Sequence, residues 1–169
     1  PEAPPGADAV IIESTYGDRE HPPQDLLDEL APALARVAAR GGTAVVPVFA
    51  VGRAQALLLV LQRLKEAGDL PHSLPVFLDS PMATAATRVF AHHAKSLEGG
   101  KTFLEGLRAS DVHFTESVEQ STALDRLHGF HIVIAASGMC EAGHIRHRLK
   151  NWLWRDEATV LLVGFQAAG

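Results

Sequence analysis

Two stretches of this 169-residue chain carry side chains that could act on a charged substrate. The first, Glu13-Ser14-Thr15-Tyr16-Gly17-Asp18-Arg19, sets a carboxylate and three hydroxyls at the end of an apolar run. A carboxylate at the end of a buried strand must be solvated, hydrogen-bonded or paired, because an isolated buried charge is expensive. It can cap a nearby turn or serve a site, and the residue types leave both readings open. The second, Ser137-Gly138-Met139-Cys140-Glu141-Ala142-Gly143, is a glycine-bearing turn entering a helix. Free backbone N–H groups at such a terminus suit an anion such as phosphate, although many strand-to-helix turns carry Ser-Gly for geometry alone. Arg53 opens a helix and could meet a phosphate or form an internal salt bridge. Asp79 and Ser80 read first as helix caps, and Gln166 follows the last apolar run.

These residues share one property of placement, because each follows a short apolar run. The runs are expected as strands over about 9–13, 43–48, 75–78, 131–136 and 158–164. Most are continuously apolar, as strands covered on both faces should be. Helices are expected over about 24–40, 52–67, 81–94, 117–127 and 141–153. Gly41-Gly42 and Gly68 mark helix ends, Pro81 suits a first helical position, and Ser117 with Gln120 forms a capping-box pattern. Residues 95–116 are less regular, with a loop and one or two short helices expected. Alternating strands and helices imply a three-layer α/β/α domain with a mainly parallel, Rossmann-like sheet. Ligands of such sheets bind outside the carboxyl ends of the strands. Glu13, Arg53, Ser80, Ser137-Gly138 and Gln166 should therefore converge on one edge.

Composition narrows the function classes. Hydrophobic content of 47% with 21% charged residues is ordinary for a globular domain. A net charge of −5 offers no overall basic footprint, though a local positive strip remains compatible with it. One cysteine, Cys140, rules out an internal disulfide and fits a reducing, cytoplasmic setting. No apolar run approaches the roughly 18 residues of a membrane helix. Neither Gly-x-Gly-x-x-Gly nor a P-loop occurs, which counts against dinucleotides and nucleoside triphosphates. Residues 1–7 read as a linker and 8–169 as one domain, taken as a piece of a longer protein.

Five segments in order resemble one family: Ile12 to Arg19, Pro47-Val48-Phe49-Ala50-Val51-Gly52-Arg53-Ala54-Gln55, Asp79-Ser80-Pro81-Met82-Ala83, Ala136 to Gly143, and Val163-Gly164-Phe165-Gln166-Ala167. They are similar to the β-CASP region of metallo-β-lactamase-fold nucleases, the group holding RNA 3′-end-processing endonucleases. The resemblance covers nearly the whole chain and is weakest over about 95–130. It implies that Glu13 is the family's first acidic motif, set beside a two-zinc site and holding a histidine from later in the chain. The Glu-Ser-Thr-Tyr-Gly run tilts the implied substrate towards RNA. Ser14, Thr15, Tyr16, Arg53, Ser80, Ser137, Gly138, Met139 and Gln166 are then expected to meet single-stranded RNA.

The His-x-His-x-Asp-His run that binds zinc in these nucleases does not occur here. Zinc is therefore expected in a metallo-β-lactamase domain of the same polypeptide, with this piece inactive alone; a homodimer is compatible with it. His144 and His147 lie at i, i+3 and could share a metal, but a solvated or phosphate-facing helix is the plainer reading. His144 also stands where relatives are expected to carry arginine. Trp152 and Trp154 read as packing residues rather than base-stacking platforms. The alternatives are a small-molecule- or nucleotide-binding doubly wound domain, or a β-CASP scaffold without catalysis.

Overall fold

The computed structural model describes residues 6–18, 20, 26–108 and 111–166. Thirteen elements follow in order among them. They are α1 (Leu26–Ala39), β1 (Thr43–Pro47), α2 (Arg53–Ala67), β2 (Val76–Asp79), α3 (Pro81–His92), a 3₁₀ turn (Ala94–Ser96), α4 (Gly100–Arg108), β3 (Val112–Phe114), α5 (Val118–Ala123), a second 3₁₀ turn (Leu124–Arg126), β4 (His131–Ala135), α6 (His144–Trp152) and β5 (Ala158–Val160). The strands form one sheet in the order β3-β2-β4-β1-β5. Every pairing is parallel, with Thr43 opposite both His131 and Ala158, and Val76 opposite both Ile132 and Val112.

Period-two alternation along the strands divides the core into two layers. Ala44 and Val46, Val76 and Leu78, Ile132 and Ile134 point one way and pack on Leu30, Leu34, Leu57, Leu61 and Phe103. Val45, Val133 and Ala135 point the other way and pack on Leu124, Ile145 and Trp152. Helices α1, α2 and α4 thus cover one face, while α6 and the turn after α5 cover the other. Burial on both faces is why β1 and β4 read as unbroken apolar runs: all five residues of each are buried. The expected three-layer parallel α/β domain is the observed one.

Local signals behave as their chemistry dictates. Gly68 ends α2 in the left-handed conformation, its N–H reaching back to the last turn. Ser80 caps α3 through its hydroxyl, which accepts from the Ala83 N–H at 3.2 Å, with Pro81 first in the helix. Ser117 and Gln120 make the expected capping box.

The set of strands is a correction. Among the described residues, 9–13 form no strand and pair with none of the sheet; Val10, Ile11 and Ile12 are 78%, 101% and 80% exposed. Continuous apolarity there signals something to cover, but no strand of this sheet lies beside it to take its backbone hydrogen bonds. The fifth strand is instead β3, inside the region expected to be loop and short helix. It is three residues long and on the sheet edge, so it carries no apolar run to announce it. Two buried contacts hold it: Lys65 at the end of α2 forms an ion pair with Asp111, and the Val76 N–H donates to the Asp111 carbonyl at 2.8 Å. Lys65 also donates to the Leu74 carbonyl at 2.9 Å.

Other boundaries are shorter than expected. Helix α3 ends at His92 before the first 3₁₀ turn, the 117–127 helix divides into α5 and a 3₁₀ turn, α6 begins at His144 rather than 141, and β5 stops at Val160. The expected start of α1 at Gln24 lies outside the described residues.

Candidate functional site

The carboxyl ends of β1, β4 and β5 open into a cavity of about 340 Å³ lined by Glu13, Thr15, Tyr16, Pro47, Val48, Phe49, Arg53, Gly138, Met139, Gly164 and Phe165. Four chain segments far apart in sequence meet there: three follow strands of the parallel sheet, and the Glu13–Tyr16 loop lies against them. The turn after β4 brings Gly138 against the backbone of Phe49: a Cβ at Gly138 would lie 3.0 Å from the Phe49 nitrogen. The turn is closed on itself, with Ser137 N–H donating to the Ala142 carbonyl at 3.1 Å and Ile145 N–H to the Ala136 carbonyl at 2.8 Å. Gly143 ends it at φ 72°, where a Cβ would come within 2.6 Å of the Ala136 oxygen.

Glu13 is exposed at this cavity, and its Oε2 accepts the Thr15 N–H at 3.1 Å. The acid therefore braces its own turn while still facing the opening. Tyr16 meets Phe165 edge-on, ring centres 6.0 Å apart, joining the Glu13 loop to the segment after β5. Arg53 is the first residue of α2 and is exposed; among the described residues its guanidinium makes no ion pair or hydrogen bond. The salt-bridge reading of Arg53 thus has no partner among them. A cation at the positive end of a helix is electrostatically disfavoured, and α2 carries no acid in its first turn to offset it. A bound anion would.

Not every expected residue faces the cavity. Thr15, Tyr16, Arg53, Gly138 and Met139 line it; Ser14 and Ser137 belong to the flanking turns without lining it. Gln166 acts between segments, its Nε2 donating to the Gly138 carbonyl at 2.8 Å. Ser80 is 4% exposed and occupied as the α3 cap.

Asp79, also expected as a cap, caps nothing. It is wholly buried at the end of β2, and three side chains converge on it. Thr115 donates to Oδ1 at 2.7 Å, His144 Nδ1 lies 3.0 Å from the same oxygen, and Arg148 Nε donates to Oδ2 at 2.8 Å. Burial alone would push this carboxyl up. The His144 and Thr115 hydrogen bonds and the Arg148 guanidinium outweigh it and hold Asp79 below the ordinary aspartate value.

Arg148, itself fully buried, donates on to Asp125 at 2.5 Å and to the hydroxyl and carbonyl of Ser121, and lies over Trp152 at 5.2 Å. Sequence reading missed this arginine. The available signal was its place in the stripe Ile145, Arg148, Leu149, Trp152, where helical spacing puts an arginine on the apolar face.

The two histidines of α6 divide between the two aspartates. His144 takes Asp79, while His147 Nε2 lies 3.1 Å from Asp125 and 3.0 Å from the Asn151 amide nitrogen. They share no metal position. Among the described residues no group of three or more His, Cys, Asp or Glu side chains could hold a metal ion, so zinc finds no fitting ligand set there. Cys140 is half-buried and packs below the sheet, and burial pushes its thiol up rather than down. Trp152 is buried among Thr43, Gly129 and Ala158 at the opposite edge, remote from the cavity, while Trp154 is exposed.

An open parallel sheet whose carboxyl edge gathers a carboxylate, an arginine unpartnered among the described residues and a glycine turn defines an α/β domain with a polar cavity at that edge. The chain belongs to the Beta-Casp family, whose domain model matches residues 54–169. Similarity to individual relatives extends over the rest. The chain is 37% identical to ribonuclease TTHA0252 of Thermus thermophilus over its whole length, covering 40% of that protein. It is 30% identical to the probable RNase MJ4 of Methanocaldococcus jannaschii, with 94% of this chain and 36% of that one aligned. It is 28% identical to endoribonuclease YSH1 of Kluyveromyces lactis, with 99% and 23% aligned. The chain thus spans well under half the length of these relatives.

Proposed function

We propose that this chain is the RNA-binding domain of a zinc-dependent ribonuclease, acting in the cytoplasm on single-stranded RNA by phosphodiester hydrolysis. The observation that carries the reading is the convergence of Glu13, Tyr16, Arg53, Gly138, Met139 and Phe165 on one cavity. It joins a carboxylate, a free cation and a backbone turn suited to phosphate, with aromatic walls for a base. Relatives named as ribonucleases support the same direction. In this reading Arg53 and the 137–143 turn hold the RNA backbone, and Glu13 orients the group that protonates the leaving oxygen.

The catalytic metal belongs to a metallo-β-lactamase domain of the same polypeptide, where two zinc ions would supply the attacking hydroxide. The exposed Val10-Ile11-Ile12 run supports a covering domain on that side. Nothing in this chain's described residues replaces that chemistry, so the isolated domain should bind RNA without cutting it.

Incubating the full-length protein with end-labelled single-stranded RNA, with and without a chelator, tests the reading. Metal-dependent cleavage supports it. Intact RNA together with tight binding of a free nucleotide would favour the small-molecule alternative instead.

A further inference from the structure

A second polar station lies beside the cavity, across β4 from it. His144 is the first residue of α6 and closes the turn that begins with Gly138 and Met139 in the cavity wall. Its side chain is 35% exposed, while the carboxylate that grips it is wholly buried. Both close contacts of the ring, Asp79 at 3.0 Å and the Ser121 hydroxyl at 3.5 Å, are made by Nδ1. Among the described residues Nε2 has no hydrogen-bond partner.

The protonation pattern follows from the partners. An ionised carboxylate only accepts hydrogen bonds, so Nδ1 must carry the proton it shares with Asp79. The Nδ1 contact with Asp79 fixes the ring's orientation. In its neutral form a ring fixed in this way presents Nε2 as a hydrogen-bond acceptor. A phosphate oxygen is an acceptor too and is repelled by it. Among the groups along an RNA backbone, the ribose 2′-hydroxyl is the donor that fits.

Building on the RNA reading above, we infer that His144 is a specificity-determining residue that accepts a hydrogen bond from a ribose 2′-hydroxyl of the strand bound at the cavity. Asp79 acts through it as a positioning residue. Arg148, Thr115, Asp125 and Ser121 form the buried frame that keeps the pair in register.

The test uses the full-length protein and a set of short single-stranded RNAs, each with one ribose replaced by deoxyribose. In the wild-type protein one substitution should weaken binding about three- to tenfold, the worth of one hydrogen bond. His144→Asn keeps a donor for Asp79, because the amide nitrogen falls near Nδ1, but removes Nε2. It should bind all the RNAs alike. His144→Gln, whose amide oxygen can replace Nε2 as acceptor, should restore part of the discrimination. Equal deoxyribose penalties in wild type and His144→Asn would overturn the inference. So would RNA affinity that climbs on acidification in wild type but not in His144→Asn, since that marks a charged contact to phosphate. If the wild-type protein binds no RNA, the proposed function fails, and this inference with it.

Discussion

Asp79 and Arg148 stand 69 residues apart in the chain and meet inside it, Arg148 Nε donating to Asp79 Oδ2 at 2.8 Å with neither side chain exposed to water. The contact fastens the end of β2 to the middle of α6, and through Asp125 and Ser121 it holds the helix pair covering that face of the sheet. A buried charge costs several kcal/mol unless it is matched. Here the hydrogen bonding is complete, since Nε, both terminal nitrogens and both Asp79 oxygens have partners.

Removing one member should therefore be expensive. Arg148→Ala leaves the buried Asp79 carboxylate and Asp125 without their shared guanidinium and is expected to destabilise the domain by about 3–5 kcal/mol. Urea unfolding monitored by circular dichroism measures it. A midpoint change equivalent to less than about 1 kcal/mol would show that the network is dispensable.

Acid should act through the same residue. The folded carboxyl of Asp79 lies below its ordinary value of about 3.9. The unfolded chain consequently takes up the proton first as pH falls. The contribution of Asp79 is fully present above about pH 5 and is lost as pH drops through the unfolded value towards the lower folded one. Asp79→Asn should be less stable at neutral pH yet show a flatter acid limb. Unfolding free energies measured between pH 3 and 7 for both proteins decide it, and parallel curves would remove Asp79 from the acid response.

Glu13→Gln preserves the shape of the cavity rim and an acceptor for the Thr15 N–H. In the full-length protein, on the ribonuclease reading proposed above, it removes only the charge. If Glu13 supports a proton-donating group, cleavage should fall by about 10²–10⁴-fold, the usual share of acid–base catalysis. Zinc content and RNA affinity should barely move. Near-normal turnover with metal intact would leave Glu13 as a turn-bracing residue alone.

Arg53→Ala separates binding from chemistry. Its guanidinium has no partner among the described residues, so little stability should be lost. If it meets a phosphate, RNA affinity should drop and the slope of log K against log salt should lessen by about 0.7, the value for one single-strand contact. An unchanged slope would place the phosphate elsewhere.

Gly143→Ala tests the turn that links the cavity to His144. The residue has φ 72°, and an added Cβ would lie 2.6 Å from the Ala136 oxygen. A cost of about 1–3 kcal/mol is expected from the backbone conformation alone, with weakened RNA binding as the turn shifts. Full stability by thermal unfolding would contradict the geometry.

Much of the domain was legible because its signals are local. Apolar runs at 43–47 and 131–135, helical stripes such as Leu30, Leu34 and Val37, and the caps at Gly68, Ser80 and Ser117 depend on a few neighbouring residues. Parallel pairing then delivers Arg53 and Gly138 to one edge, whereas Glu13 reaches it on a loop outside the sheet. The strand expected over 9–13 shows the limit of such signals. Apolarity reports a need for cover, and the residues that would cover Val10, Ile11 and Ile12 are not in this sheet.

The sequence by itself determined the alternation of strands and helices, the parallel sheet and the edge on which chemistry can gather, because periodicity and turn chemistry act over spans of a turn or two. Tertiary structure alone decided the partners of each polar side chain. Asp79 looked like a cap and Arg148 drew no notice, because a buried charge is defined by what surrounds it. Arg148, His144, Thr115 and Asp125 come from three separate segments that approach Asp79 only when the sheet closes. The same closure left Arg53 and Nε2 of His144 without a partner among the described residues.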